Sequence, residues 1–201
     1  MNIFKSVWAK ALAVLISFTV LCGVIYPLAV TGLGQLLFPN QVNGSVIEVN
    51  GKKYGSVLLA QQFTGNQYLW GRVMNLDTKT FTDSSGKPMM YAAPSNLSPA
   101  SAQYKKLIQE RIAKIQAADP EKKGTPIPED LVTCSGSGLD PHISPAAAEY
   151  QADRIAKARN ISAQSVRSVI AKYTSGKFFG VFGEDTVNVL EVNLALDGIL
   201  K

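Results

Sequence analysis

Apolar residues follow two different rhythms along this chain. Positions 11–38 are almost all apolar or weakly polar, and none is charged. That is a continuous run, unlike the one-sided stripe of a helix that lies on a soluble core. As a helix, residues 11–30 rise about 30 Å, the thickness of bilayer hydrocarbon, so the pattern predicts a membrane-spanning helix over 8–30. Trp8 and Tyr26 are 18 positions apart, which puts one amphipathic ring near each interface, and Pro27 marks a place for the helix to end or kink. Gly23, with small neighbours, lets a second helix approach closely. The run is too long for the apolar region of a cleaved signal peptide, and Leu21 before Cys22 does not suit a lipoprotein signal. Lys5 and Lys10 precede the uncharged run, and no Lys or Arg follows until Lys52. This asymmetry predicts a short cytoplasmic N-terminus, 1–7, with everything after the helix on the far side of the membrane.

Past the helix the rhythm changes. Residues 31–45 contain three Gly and a Pro and read as a neck; 46–201 read as an extracytoplasmic domain of mixed α/β class. Val46-Ile-Glu-Val, Asn50-Gly51 and Lys53-Tyr-Gly-Ser-Val-Leu-Leu predict a hairpin, since Asn-Gly favours the turn that matches strand twist. Phe63 and Tyr68-Leu-Trp-Gly-Arg-Val suggest a short strand, and 77–96, rich in Ser, Thr, Gly and Pro, a long loop. Three helices are expected: one opened by Ser98-Pro99, with Tyr104, Ile108, Ile112 and Ile115 as its stripe and Glu110 paired to Lys114; one opened by Ser144-Pro145, with Asp153 and Lys157 on its polar face and ending near Asn160; and one from Ser162, stopped by Gly176. Val187-Asn-Val-Leu-Glu-Val-Asn alternates like a final strand.

Composition sharpens this division. Of 201 residues, 46% are hydrophobic and 17% charged, ordinary averages that conceal two chemically distinct parts; 18 of the 20 basic residues and all 15 acidic ones lie from Gln41 onward. The net charge of +5 is scattered, and no aromatic residues interleave it, which argues against nucleic acid. Cys22 and Cys134 fall on opposite sides of the boundary, so they are not expected to pair.

The candidate chemistry centres on Thr133-Cys-Ser-Gly-Ser-Gly-Leu-Asp-Pro-His-Ile-Ser-Pro. Ser135, Gly136, Ser137 and Gly138 could offer backbone N–H groups to a phosphate or form a tight structural turn. No Lys-Ser or Lys-Thr follows, so this is not a Walker loop. His142, the only histidine, lies near Ser137 and Asp140, but the Gly-x-Ser-x-Gly elbow is not met, and a hydrogen-bonding role is expected instead. One His and one available Cys do not make a metal site. Glu129-Asp130 and Glu184-Asp185 read as loop-solvating or helix-starting pairs, and Arg72 as an interface residue or a surface ion.

Residues 135–151, Ser-Gly-Ser-Gly-Leu-Asp-Pro-His-Ile-Ser-Pro-Ala-Ala-Ala-Glu-Tyr-Gln, closely resemble the C subunit of the bacterial Kdp high-affinity potassium-transporting ATPase. Tyr68-Leu-Trp-Gly-Arg, Ser95-Asn96-Leu, residues 128–132, Asn188-Val-Leu-Glu-Val-Asn-Leu-Ala-Leu-Asp and the short N-terminus before one spanning helix carry the same likeness. Val73-Met74 departs from the family's usual Pro-Ser, and Cys134 replaces another small residue. The resemblance implies a noncatalytic inner-membrane subunit partnered with a channel-like potassium-translocating subunit, a P-type ATPase subunit and a small fourth subunit. It implies no cofactor of its own, and a catalytic-chaperone role in ATP binding by the hydrolytic subunit. The family's loop is sometimes assigned to nucleotide, which would make 135–142 a direct ATP contact. The charge asymmetry conflicts with that, because ATP is cytoplasmic, and favours an indirect effect of the complex. Trp8, Gly23, Tyr26, Arg72, Asp140 and His142 are the residues expected at partner interfaces.

Overall fold

The computed structural model describes residues 7–201, so Lys5 and most of the expected cytoplasmic N-terminus lie outside the described residues. The chain divides into two compact units that meet after Val46.

The first unit is a 31-residue apolar helix, Val7–Leu37, long and apolar enough to cross a membrane. It is built from α1 (Val7–Val20), one π-helical turn (Leu21–Ile25) and α2 (Tyr26–Leu37). Pro27 accounts for the π turn. Proline has no N–H for the carbonyl four residues back, and its ring crowds that turn; the widened turn has Tyr26 donating to the Leu21 carbonyl instead. Pro27 then occupies the first turn of α2, where no donor is needed. The helix therefore does not end at Pro27, and the expected irregular neck over 31–45 is helical through Leu37. Phe38 interrupts it, and α3 (Pro39–Val42) folds back. A side chain at Gly34 would meet Val42 Cγ1 at 3.0 Å, so glycine eases this close approach.

The second unit is mixed α/β, with small sheets. β1 (Val46–Val49) and β2 (Lys52–Ser56) form the expected hairpin, turning at Asn50 and Gly51, both with positive φ. A second hairpin, β3 (Leu76–Thr82) with β4 (Pro88–Ala92), replaces the expected long loop. Its register shifts between Asp77 and Phe81, which breaks the alternation that would have revealed it. Its turn is held by Asp83, whose Oδ1 accepts the N–H groups of Ser85 and Lys87, each at 2.9 Å.

Helix α4 (Ala102–Ala118) is capped by Ser101, whose hydroxyl accepts the Tyr104 N–H at 3.1 Å. It begins one turn after Ser98-Pro99, because the Ser101 N–H is held by the Ser98 carbonyl in a preceding turn. Glu110 pairs back with Lys106, not with Lys114, which lies over the Trp70 ring. Helix α5 (Pro145–Arg159) starts at a Ser144 cap and ends with Asn160 left-handed, as the sequence predicts. Its Asp153 bonds Lys122 and Arg167 rather than Lys157, which pairs with Glu121. Helix α6 (Ala163–Lys172) is capped by Ser162 and stops short of Gly176. A three-stranded antiparallel sheet places β7 (Thr186–Asn188) between β5 (His142–Ile143) and β6 (Thr174–Ser175). The alternation beginning at Val187 ends at Asn188, whose side chain caps α7 (Val189–Leu196) by accepting the Glu191 N–H. Valines and leucines there satisfy both periods, and the cap decides for helix.

Residues 68–73 do not form a regular strand, although their backbone is paired as one would be. Asn193 accepts the Leu69 N–H at 2.7 Å and donates to the Leu69 carbonyl at 2.9 Å. Gln151 does the same for Trp70, at 2.9 and 3.0 Å. Two side-chain amides from α7 and α5 thus stand in for a neighbouring strand. Arginines satisfy the flanking carbonyls: Arg154 those of Asn66 and Tyr68, Arg159 that of Gln67, and Arg111 that of Gly71. Around this segment the core packs Leu69, Trp70, Ile143, Ala147, Ala148, Ile155, Val166, Val187 and Val192.

Candidate functional site

The Ser/Gly loop is fastened by its backbone before any side chain acts. Val73 donates to the Thr133 carbonyl, Asn75 to that of Gly138, Ala60 to that of Leu139 and Val189 to that of Pro141, all between 2.9 and 3.3 Å. Gly138 has a φ of +72°, and a Cβ there would meet the Ala93 carbonyl oxygen at 2.5 Å; only glycine permits both the conformation and the approach. The two serines bond within the loop. Ser135 Oγ accepts the Gly138 N–H at 3.1 Å, Ser137 Oγ accepts the Leu139 N–H at 3.2 Å, and the two hydroxyls lie 3.1 Å apart.

This arrangement fits poorly with a phosphate cradle. The N–H groups of Gly138 and Leu139 point back to the serines. Where the next helix begins, the Ser144 N–H donates to Asp130 Oδ2 at 2.7 Å and the Ala147 N–H to its own Ser144 cap. Four backbone donors at the end of the loop and the start of the helix are thus engaged internally rather than presented to a ligand.

Asp140 and His142 form the loop's outgoing limb. Asp140 Oδ1 accepts the His142 N–H at 2.9 Å and lies 3.8 Å from Nδ1 of the ring. The other ring nitrogen, Nε2, is 3.3 Å from Asn188 Nδ2. Asn188 also donates from Nδ2 to the Val57 carbonyl while its Oδ1 caps α7, which fixes the amide's orientation. His142 Nε2 is therefore the acceptor, and in the neutral ring Nδ1 carries the proton toward Asp140. The imidazole joins β5 to β7 through Asn188, which in turn holds the Val57 carbonyl, with Ser135 and Ser137 bonded elsewhere.

Arg72 holds the loop's incoming limb. Its guanidinium reaches Asp130 Oδ1 at 3.2 Å, Thr133 Oγ1 at 3.4 Å and the Cys134 carbonyl at 3.3 Å. Asp130, read from sequence as loop-solvating or helix-starting, bridges Arg72 to the start of α5. Arg72 and Asp140 both line a small cleft with Gln61, Pro141 and Val189. Of the expected interface residues, Arg72, Asp140 and His142 thus belong to one neighbourhood. Trp8 and Tyr26 are exposed on the apolar helix, and Gly23 sits in its π turn with nothing near its Cβ direction.

Sequence reasoning missed the cationic cluster around Trp70. Arg154, Lys114 and Arg111 lie 4.4, 5.3 and 5.6 Å from its ring. Burial pushes the Arg154 guanidinium down to about 10, with Asp119 drawing it up and Arg111 pressing it lower; it remains cationic at neutral pH. Burial also lowers Arg111. Only the spacing of Trp70 from basic residues far along the chain could have signalled this, and spacing carries no such information.

Residues 8–198 match the family model described as the K+-transporting ATPase c chain. The chain belongs to the KdpC family. A potassium-transporting ATPase KdpC subunit of Clostridium botulinum strain Alaska E43 is 64% identical over 201 residues, covering the whole of both chains. The corresponding subunit of Clostridium perfringens is 62% identical over 197 residues, covering 98% of this chain and 99% of the relative. That of Methylococcus capsulatus is 47% identical over 193 residues, covering 94% and 96%. KdpC is thus one subunit of a K+-transporting ATPase, and the helix Val7–Leu37 is consistent with a membrane anchor.

Proposed function

We propose that this chain is a noncatalytic assembly subunit of a potassium-transporting ATPase, held in the inner membrane by residues 8–30 with the C-terminal domain outside the cytoplasm. The anchor docks on helices of the channel-like subunit, with Gly23 permitting close approach. The domain lies over the potassium entrance and steadies the complex. Its effect on ATP binding by the P-type subunit is that of a catalytic chaperone acting through packing, without contact to nucleotide. The observation that carries this reading is the Ser/Gly loop, whose two hydroxyls bond each other and take the Gly138 and Leu139 N–H groups and whose neighbours Arg72, Asp130, His142 and Asn188 brace it. A braced, internally bonded surface suits docking better than phosphate capture, so direct nucleotide binding by 135–142 is the less supported alternative.

Deleting residues 31–201 tests the role: recovery of the intact complex and potassium-stimulated ATPase activity both fall on this reading, and unchanged values for both refute it. Orientation is tested at Cys134 with a membrane-impermeant thiol reagent on intact spheroplasts, with a denatured control to confirm that the thiol reacts. Labelling is expected; a thiol that reacts only in inverted vesicles overturns the orientation and restores the nucleotide alternative.

A further inference from the structure

Next to the Arg72 limb lies a second cavity, of about 110 Å³, lined by Gln61, Gln62, Phe63, Arg72, Met74 and Arg111. Its polar side chains are two guanidinium groups and two amides, a donor-rich set with no carboxylate among them. Arg111 directs Nε to the Leu131 carbonyl at 2.7 Å and one terminal nitrogen to that of Gly71 at 3.1 Å. No acidic group among the described residues forms an ion pair with it. Arg72 is paired with Asp130 through one terminal nitrogen, but its Nε is shielded from water and meets no acceptor. Lys114 and Arg154, packed on the same Trp70 ring as Arg111, add positive potential without adding an acceptor. A half-buried arginine without a counter-charge is unfavourable by itself, and forked guanidinium donors match the oxygens of an oxyanion.

We propose that this cavity binds a small oxyanion of the phosphate or sulfate class, bridging Arg111 and Arg72 with Gln62 completing the donor set, while the Gln61 amide is held by the Tyr54 carbonyl at 3.1 Å. The anion supplies the charge that Arg111 lacks and locks the 61–63 segment against the 71–74 segment. The site shares Arg72 with the support of the Ser/Gly loop but uses none of the loop's own donors, and it does not depend on the assembly role.

The full-length chain in detergent is titrated by calorimetry with sodium phosphate and with sodium sulfate, against chloride at equal ionic strength. Tryptophan emission is read in parallel, because Arg111 lies 5.6 Å from the Trp70 ring. Saturable binding of both oxyanions, in competition with each other, is expected. Gln62 is exposed, so Q62E introduces a negative charge at the rim without threatening the fold; it should weaken binding by about tenfold or more, as should R111Q. The proposal is overturned by the absence of saturable phosphate or sulfate binding to the wild type, or by Q62E binding as tightly as wild type. It is equally overturned if only the phosphodiester of phosphatidylglycerol vesicles binds, which would make the ligand a lipid headgroup.

Discussion

Asn193 offers the sharpest test of how this fold is held. It is fully buried, as is Leu69, and its amide is what pairs the Leu69 N–H and carbonyl. Asn193→Ala leaves both backbone groups without a partner and without water. At about 1–3 kcal/mol for each buried unsatisfied group, the loss is about 2–6 kcal/mol, a large part of the roughly 5–15 kcal/mol that holds a typical domain together. For a chain of this size that lowers Tm by about 5–20 °C. Asn193→Asp separates pairing from volume. The carboxylate still accepts the Leu69 N–H, but its second oxygen faces the Leu69 carbonyl, and burial raises its pKa above the unfolded value of about 3.9. The protonated acid can donate to that carbonyl, so its contribution is present below about pH 4 and is lost as pH rises through the folded-state value. N193D is therefore expected to be strongly destabilised at neutral pH, with the deficit narrowing in acid, whereas N193A stays uniformly impaired. Thermal unfolding of the full chain in detergent, followed by circular dichroism, together with hydrogen exchange at the Leu69 amide, measures both. An N193D variant as stable as wild type at neutral pH, or a deficit flat between about pH 4 and about pH 8, refutes the reasoning.

Gly138→Ala is expected to destabilise by at least about 1–3 kcal/mol, because its Cβ meets the Ala93 carbonyl and its φ is positive. Gly136→Ala, with open space around it, should stay within about 0.5 kcal/mol of wild type, and equal melting temperatures for the two would contradict the loop geometry. Burial works against the Asp153 carboxylate, but hydrogen bonds and attraction from Lys122 and Arg167 outweigh it and hold its pKa below the ordinary range. Its stabilisation is thus present above the unfolded pKa and is lost as pH falls through the folded one. Half-exposed as the group is, the effect is at most about 1 kcal/mol. Asp153→Asn should cost this much at neutral pH and nothing in strong acid, measured by unfolding across that range; a gap that widens in acid would exclude the pairing.

The helical caps were legible because they are local. Ser144-Pro145 and Ser162 each place a hydroxyl three residues before the N–H it accepts, and Asn160 takes the left-handed ending. Asn50-Gly51 was legible for the same reason. The β3–β4 hairpin was not, because its shifted register and Asp-held turn look like loop composition. Nor was the end of β7, where a run apolar at both periods gives way to α7 only because Asn188 caps it.

The candidate site divides along the same line. The Ser/Gly loop, His142, Asp140 and Arg72 are visible as residue types, but what they bond to is not. Asp130 lies 58 positions from Arg72 and Asn188 lies 46 from His142.

By itself, the amino-acid sequence determined the long apolar helix, the helix starts and the family, because solvent preference, capping and motif identity are properties of neighbouring residues. Only the tertiary structure decided that Asn193 and Gln151 would replace a strand, that the loop serines would satisfy their own backbone, and that three cations would gather on Trp70. Each of these depends on groups brought together across long stretches of chain, where burial removes water as the competing partner and makes every unmet hydrogen bond expensive.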